Sequence, residues 1–151
     1  MATGVFLAAA ALLVLAGAQK VVDPHPLVRA LRSTGLTVSP SVVRAWALVE
    51  VVIGVGSVIT GNGIAVAASY LVFTAFVVVA KTKGGVLASC GCFGKADTPP
   101  TWLHVMITAG LAVAAVPGRT AALDLALLAA AAAVAATAYL AMAVLPVLQV
   151  R

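Results

Sequence analysis

Charge is scarce in this chain. Of 151 residues, nine are Lys or Arg and four are Asp or Glu, 9% in all, where soluble domains carry about a quarter. That excludes a soluble core wrapped in a charged shell. Aromatics are thin as well, at 5%. No basic stripe with interleaved rings exists, so the net charge of +5 does not indicate a nucleic-acid partner. Cysteine is limited to Cys90 and Cys92, and histidine to His25 and His104. A closed zinc site wants four ligands, which disfavours structural zinc, and no metal ligand set is assigned. Gly-rich phosphate loops, paired carboxylates and Ser/His/Asp arrangements are also missing.

What is present is apolar. The chain is 64% hydrophobic with a mean hydropathy of +1.19. Ala, Val and Leu dominate, a composition suited to close-packed membrane helices with small interface residues. Five apolar spans are legible, at about residues 3–19, 41–60, 64–80, 100–116 and 121–148. A bilayer core needs ~20 apolar residues per helix. The expectation is therefore an all-α, polytopic transmembrane bundle, residues 1–151 forming one integral membrane domain. Ser39 or Ser41 suits the N-cap of the second span, with Pro40 at its entry. Gly61-Asn62-Gly63 reads as a tight turn. The longest polar connection, Lys20 to Pro40, leaves no room for a soluble domain.

Ala16-Gly17-Ala18 resembles a cleavage site, but no basic stretch precedes the first span. That span therefore reads as a membrane helix rather than a signal peptide. Between Lys20 and Arg32, apolar residues at 27, 28 and 31 and basic ones at 29 and 32 suit a short helix in the membrane interface.

Loop charges set the orientation. Lys20, Arg29, Arg32, Arg44, Lys81, Lys83, Lys95 and Arg151 fall on one side of a five-span topology, and Arg119 on the other. Lys and Arg stay cytoplasmic. The expected arrangement in a bacterial cytoplasmic membrane is N-terminus out and C-terminus in, with the cysteine loop inside.

The run Ser89-Cys90-Gly91-Cys92-Phe93-Gly94 holds the thiols. Gly91 permits the unusual φ that a Cys-x-Cys ring needs. Small strained disulfides are the labile, catalytic kind. Nearby Lys81, Lys83 and Lys95 favour the thiolate, the reactive form. Two other uses remain open: Cu(I) binding with Met106 or His104, and simple packing of small residues. His104 has a further candidate role as proton acceptor for a cysteine. Its plainer role is an interfacial histidine at a helix start, beside Trp102 as an aromatic-belt anchor.

Glu50 is the only charged residue between Ala45 and Ala80 and lies near the middle of the second span. Intramembrane carboxylates are costly and face the bundle interior, a partner or a water cavity. Lys20 and Lys81 are the candidate partners; Arg44, six residues away, is off helical spacing. Proton handling coupled to thiol redox, a polar wall for a quinone, and interhelical glue are all compatible with this position.

The order Lys20-x-x-Asp23-Pro24, then Glu50 with Gly54, then Cys90-Gly91-Cys92-Phe93-Gly94 resembles the MauE-type (methylamine utilisation protein E) branch of DoxX-like membrane proteins over nearly the whole chain. The resemblance implies a four-helix core with one further span. It also implies thiol–disulfide chemistry at Cys90 and Cys92, with a thioredoxin-like partner, in maturing another protein. Lys20, Asp23, Glu50, Lys81, Lys83 and His104 are then the supporting residues. It does not imply methylamine metabolism in this chain. Two alternatives stand beside it: a non-enzymatic assembly subunit of a membrane complex, and a small-ligand or metal-handling membrane protein.

Overall fold

The computed structural model describes residues 2–82, 101–118 and 125–143. The described residues form six helices: α1 (Ala2–Val22), α2 (His25–Ser33), α3 (Pro40–Thr60), α4 (Gly63–Thr82), α5 (Trp102–Ala115) and α6 (Leu125–Ala143). Four of these, α1, α3, α4 and α6, are long and apolar enough to cross a membrane. The all-α polytopic bundle is the observed architecture.

The fourth expected span is shorter than the sequence suggested. α5 has 14 residues, about 21 Å at 1.5 Å per residue, against a bilayer core of about 30 Å. It begins only after Thr101 and stops before Pro117-Gly118. Two other helices are longer than expected. α1 runs three residues past Gln19, and α4 continues through Lys81 and Thr82. The charge of Lys20 does not end its helix because a partner carboxylate on α3 meets it inside the bundle.

Ser39, rather than Ser41, caps α3, its side chain accepting the Val42 N–H at 3.4 Å. Gly61 ends α3 in the left-handed conformation, φ 70°, which glycine adopts without a Cβ penalty. α4 starts two residues later. This is the tight turn the Gly-Asn-Gly run predicts.

α1 is the central element. Half of its apolar window is buried, and it packs against α3, α4, α5 and α6, most extensively against α3. Ala8, Ala9 and Ala10 are fully enclosed, and such small residues let helix backbones approach closely. Phe6, Leu12, Val66, Tyr70 and Leu111 complete the main core. Tyr70 is buried there, its hydroxyl donating to Ala9 O at 2.8 Å.

Two contacts fix the polarity of the helices. Gly17 lies against Ala47 and Glu50, whereas Gly54 lies against Ala10 and Val14, so α1 and α3 are antiparallel. Gly63 meets the backbone of Ala115 and Gly118, while Lys81 Nζ sits 5.3 Å above the Trp102 ring, so α4 and α5 are antiparallel too. One end of the bundle thus gathers the C-terminal ends of α1 and α4, helix α2, and the N-terminal ends of α3 and α5. Lys20, Arg29, Arg32, Arg44 and Lys81 all belong to elements at that end. The expected short helix between the first two spans is α2, with Arg29 and Arg32 exposed and Val28 and Ala30 buried.

Candidate functional site: a buried Lys20–Glu50 pair beside an apolar cavity

Lys20 and Glu50 are the most unusual side chains of the bundle. Lys20 is 3% exposed and Glu50 2%. Lys20 Nζ donates to Glu50 Oε2 at 2.6 Å. A helical Cβ tilts toward the N-terminus of its helix, so the lysine stem turns back from the end of α1 to the level of Gly17. Gly17 is the reason Glu50 is near enough. A Cβ there would stand 3.2 Å from Glu50 Cβ and 2.8 Å from Ala47 O. Only a glycine brings the two backbones into that register.

Phe73 of α4 adds a third wall. Lys20 Nζ lies 4.6 Å from its ring centroid, in the range of a cation–π contact. Tyr70 holds Phe73 edge-on, with centroids 5.8 Å apart. Three helices therefore converge on one ammonium group. Glu50 Oε1 is buried and has no hydrogen-bond partner among the described residues; Gln19 Oε1 is in the same condition.

The pair borders a cavity of about 310 Å³. Leu27 and Leu31 of α2, Val42 and Trp46 of α3, and Phe73 and Phe76 of α4 supply apolar walls, and Lys20 and Glu50 are the only charged groups lining it among the described residues. The positions repeat at helical spacing: 27 and 31, 42, 46 and 50, 73 and 76. Each set presents one face of its helix. These aromatic walls were not singled out from the sequence, although the i, i+4 relation of Trp46 to Glu50 was a usable signal.

The other candidate residues lie elsewhere. Asp23 is exposed and accepts the His25 N–H at 3.1 Å. With Pro24 buried behind it, it turns the chain from α1 into α2. Arg44 does not reach Glu50; its Nε donates to Val21 O at 3.2 Å, satisfying a carbonyl at the end of α1. Lys81 stacks on Trp102 and does not line the cavity.

His104 stands at a helix start beside Trp102, as expected, but its side chain is buried in the bundle. It is 1% exposed, and its Nδ1 accepts the Thr101 N–H at 3.4 Å and lies 2.9 Å from Thr101 Oγ1. That nitrogen serves the start of α5, in the manner of a capping box. Met106 is 72% exposed, so the two do not share a face. Below them the Thr74 hydroxyl donates to Thr108 at 2.9 Å, and Thr108 donates to His104 O at 2.8 Å, tying α4 to α5. Cys90, Cys92 and Lys83 lie outside the described residues.

Searches of curated proteins and of solved structures return no match. The family model described as methylamine utilisation protein MauE matches residues 1–121. That stretch contains the Lys20–Glu50 pair, the cavity and the Cys-Gly-Cys element. On this match, which spans most of the sequence, the chain belongs to the MauE family of integral membrane proteins.

Proposed function

We propose that the chain is a membrane thiol–disulfide redox protein in which Cys90 and Cys92 cycle between dithiol and disulfide. The observation that carries this reading is the setting of the pair. The only two cysteines of a MauE-family chain stand one residue apart around a glycine. They fall in the segment that leaves α4 at Thr82 and joins α5 at Trp102, both at the basic end of the bundle. Closing the disulfide releases two electrons and two protons from the two thiols. A thioredoxin-fold partner disulfide takes them up and opens to its dithiol; the reverse exchange reduces Cys90–Cys92 again.

The substrate class is a second protein whose disulfides are set in maturation. The family takes its name from methylamine utilisation, and this chemistry does not require that pathway. Charge bias supports N-terminus out and C-terminus in, with the cysteines serving the cytoplasmic face of a bacterial membrane. Lys20 and Glu50 support the site by pinning α1 and α3 beside α4, whose last turn leads into the cysteine segment.

Mass-tag alkylation of the protein in its membrane, with and without reductant, tests the proposal. One tag difference of two cysteines between the two states is expected, together with loss of partner maturation in Cys90→Ser and Cys92→Ser. Cysteines that stay reduced throughout, with both serine variants fully active, would return the chain to the role of a structural assembly subunit.

A further inference from the structure

The cavity beside the ion pair has a property that apolar packing does not explain. Its walls are hydrophobic, yet Glu50 Oε1 is buried among its lining residues with no donor among the described residues. Glu50 is 2% exposed, and among the described residues its Oε2 accepts from Lys20 while its Oε1 accepts from none. A buried acceptor left unmatched costs about 1–3 kcal/mol, more when charged, so a donor is expected to reach it. Nearby, Lys20 offers three N–H groups, and Glu50 takes one.

The walls describe the rest of the ligand. Trp46, Phe73 and Phe76 bring three aromatic rings to one small space, and rings favour stacked or edge-on contact with another ring. Leu27 and Leu31 close the side next to the basic end. At about 310 Å³ the cavity is at the small end of ligand sites, enough for one ring with its substituents. A tail would extend along the exposed apolar face of α3 and α4, where Val42, Val72 and Trp46 are open.

We propose that this cavity binds a membrane-soluble phenol, the hydroquinone class included, its hydroxyl donating to Glu50 Oε1 and its ring lying among Trp46, Phe73 and Phe76. An oxidised quinone presents only acceptors, which a spare Lys20 N–H can meet but Oε1 cannot, so the hydroxyl form makes one hydrogen bond more. This binding does not rest on the thiol reading, since no cysteine takes part.

The experiment uses the full chain in nanodiscs. Trp102→Phe leaves Trp46, at the cavity wall, as the only tryptophan of the two. Trp46 fluorescence is titrated with 4-nonylphenol and with 4-nonylanisole, which keeps ring and tail but lacks the hydroxyl hydrogen. Saturable quenching by the phenol is expected, about tenfold tighter or more than by the ether, the ratio one hydrogen bond to a charged acceptor provides. In the double variant Lys20→Met/Glu50→Leu the two probes should bind alike. Equal affinity for both probes in the unaltered cavity, or quenching that never saturates, overturns the proposal. So does a phenol preference that survives removal of both charges.

Discussion

Lys20 and Glu50, thirty positions apart in sequence, meet at 2.6 Å inside the bundle. Both are at least 97% enclosed. The pair joins the last turn of α1 to the middle of α3, and the ammonium also faces the Phe73 ring of α4. Such a contact fixes which faces of three helices point inward. Helices in a bilayer lack a hydrophobic drive to choose between apolar faces.

Removing one partner is expected to be worse than removing both. Lys20→Met leaves a buried carboxylate, and Glu50→Leu a buried ammonium; each should cost about 3 kcal/mol or more of bundle stability. The double variant should recover most of that loss, because apolar groups of similar size replace the pair. Thermal unfolding of the four proteins in one detergent, read as a double-mutant cycle, checks this. Additive losses would mean the charges do not interact.

Two glycines of α3 should respond oppositely. At Gly54 a Cβ would stand 2.5 Å from Val14 Cγ2 and 3.0 Å from Ala10 O. Gly54→Val should therefore push α1 from α3 and cost about 1–3 kcal/mol. Gly56 has nothing within 4 Å of its would-be Cβ. Gly56→Ala should be neutral or stabilising by up to about 1 kcal/mol, the helix propensity difference. The same unfolding measurement distinguishes them.

His104 is expected to act on helix structure. Its Nδ1 accepts from the Thr101 backbone, a task a glutamine at the same position can perform. His104→Leu should lose about 1 kcal/mol, and His104→Gln should retain most of it. Thr108→Val should cost about 0.6 kcal/mol, the average for a hydrogen bond between membrane helices, through loss of the Thr74 contact. If His104→Gln and His104→Leu are equally impaired in thiol exchange but not in stability, the ring has a chemical role after all.

The side of the membrane can be read from the thiols. An impermeant maleimide should leave Cys90 and Cys92 unlabelled in intact spheroplasts and label them in inverted vesicles, if the basic end is cytoplasmic. Labelling of intact spheroplasts would reverse the orientation.

Much of the bundle was legible because its cues are local. Apolar run length marks α1, α3 and α4, Ser39-Pro40 marks the start of α3, and Gly61 marks its end. α5 falls within the expected 100–116 span to one or two residues at each end, its limits set by the Thr101 cap and by Pro117-Gly118. Glu50 was conspicuous as a lone charge, and Lys20 was one of two partners on offer. The choice of Lys20 over Lys81 depended on Gly17, whose missing side chain brings α1 onto α3. Lys81 is directed instead to Trp102.

By itself, the sequence determines that this protein is a helical membrane bundle, that its positive charge gathers at one end, and that two thiols stand one residue apart. Each of these follows from composition or from spacing along the chain. Only the tertiary structure decides that Lys20 and Glu50 pair, that His104 is buried at a helix start, and that Trp46, Phe73 and Phe76 line a cavity beside a carboxylate oxygen with no partner among the described residues. The physical reason is distance. These groups lie on different helices, and their meeting depends on how closely glycine and alanine let the backbones approach.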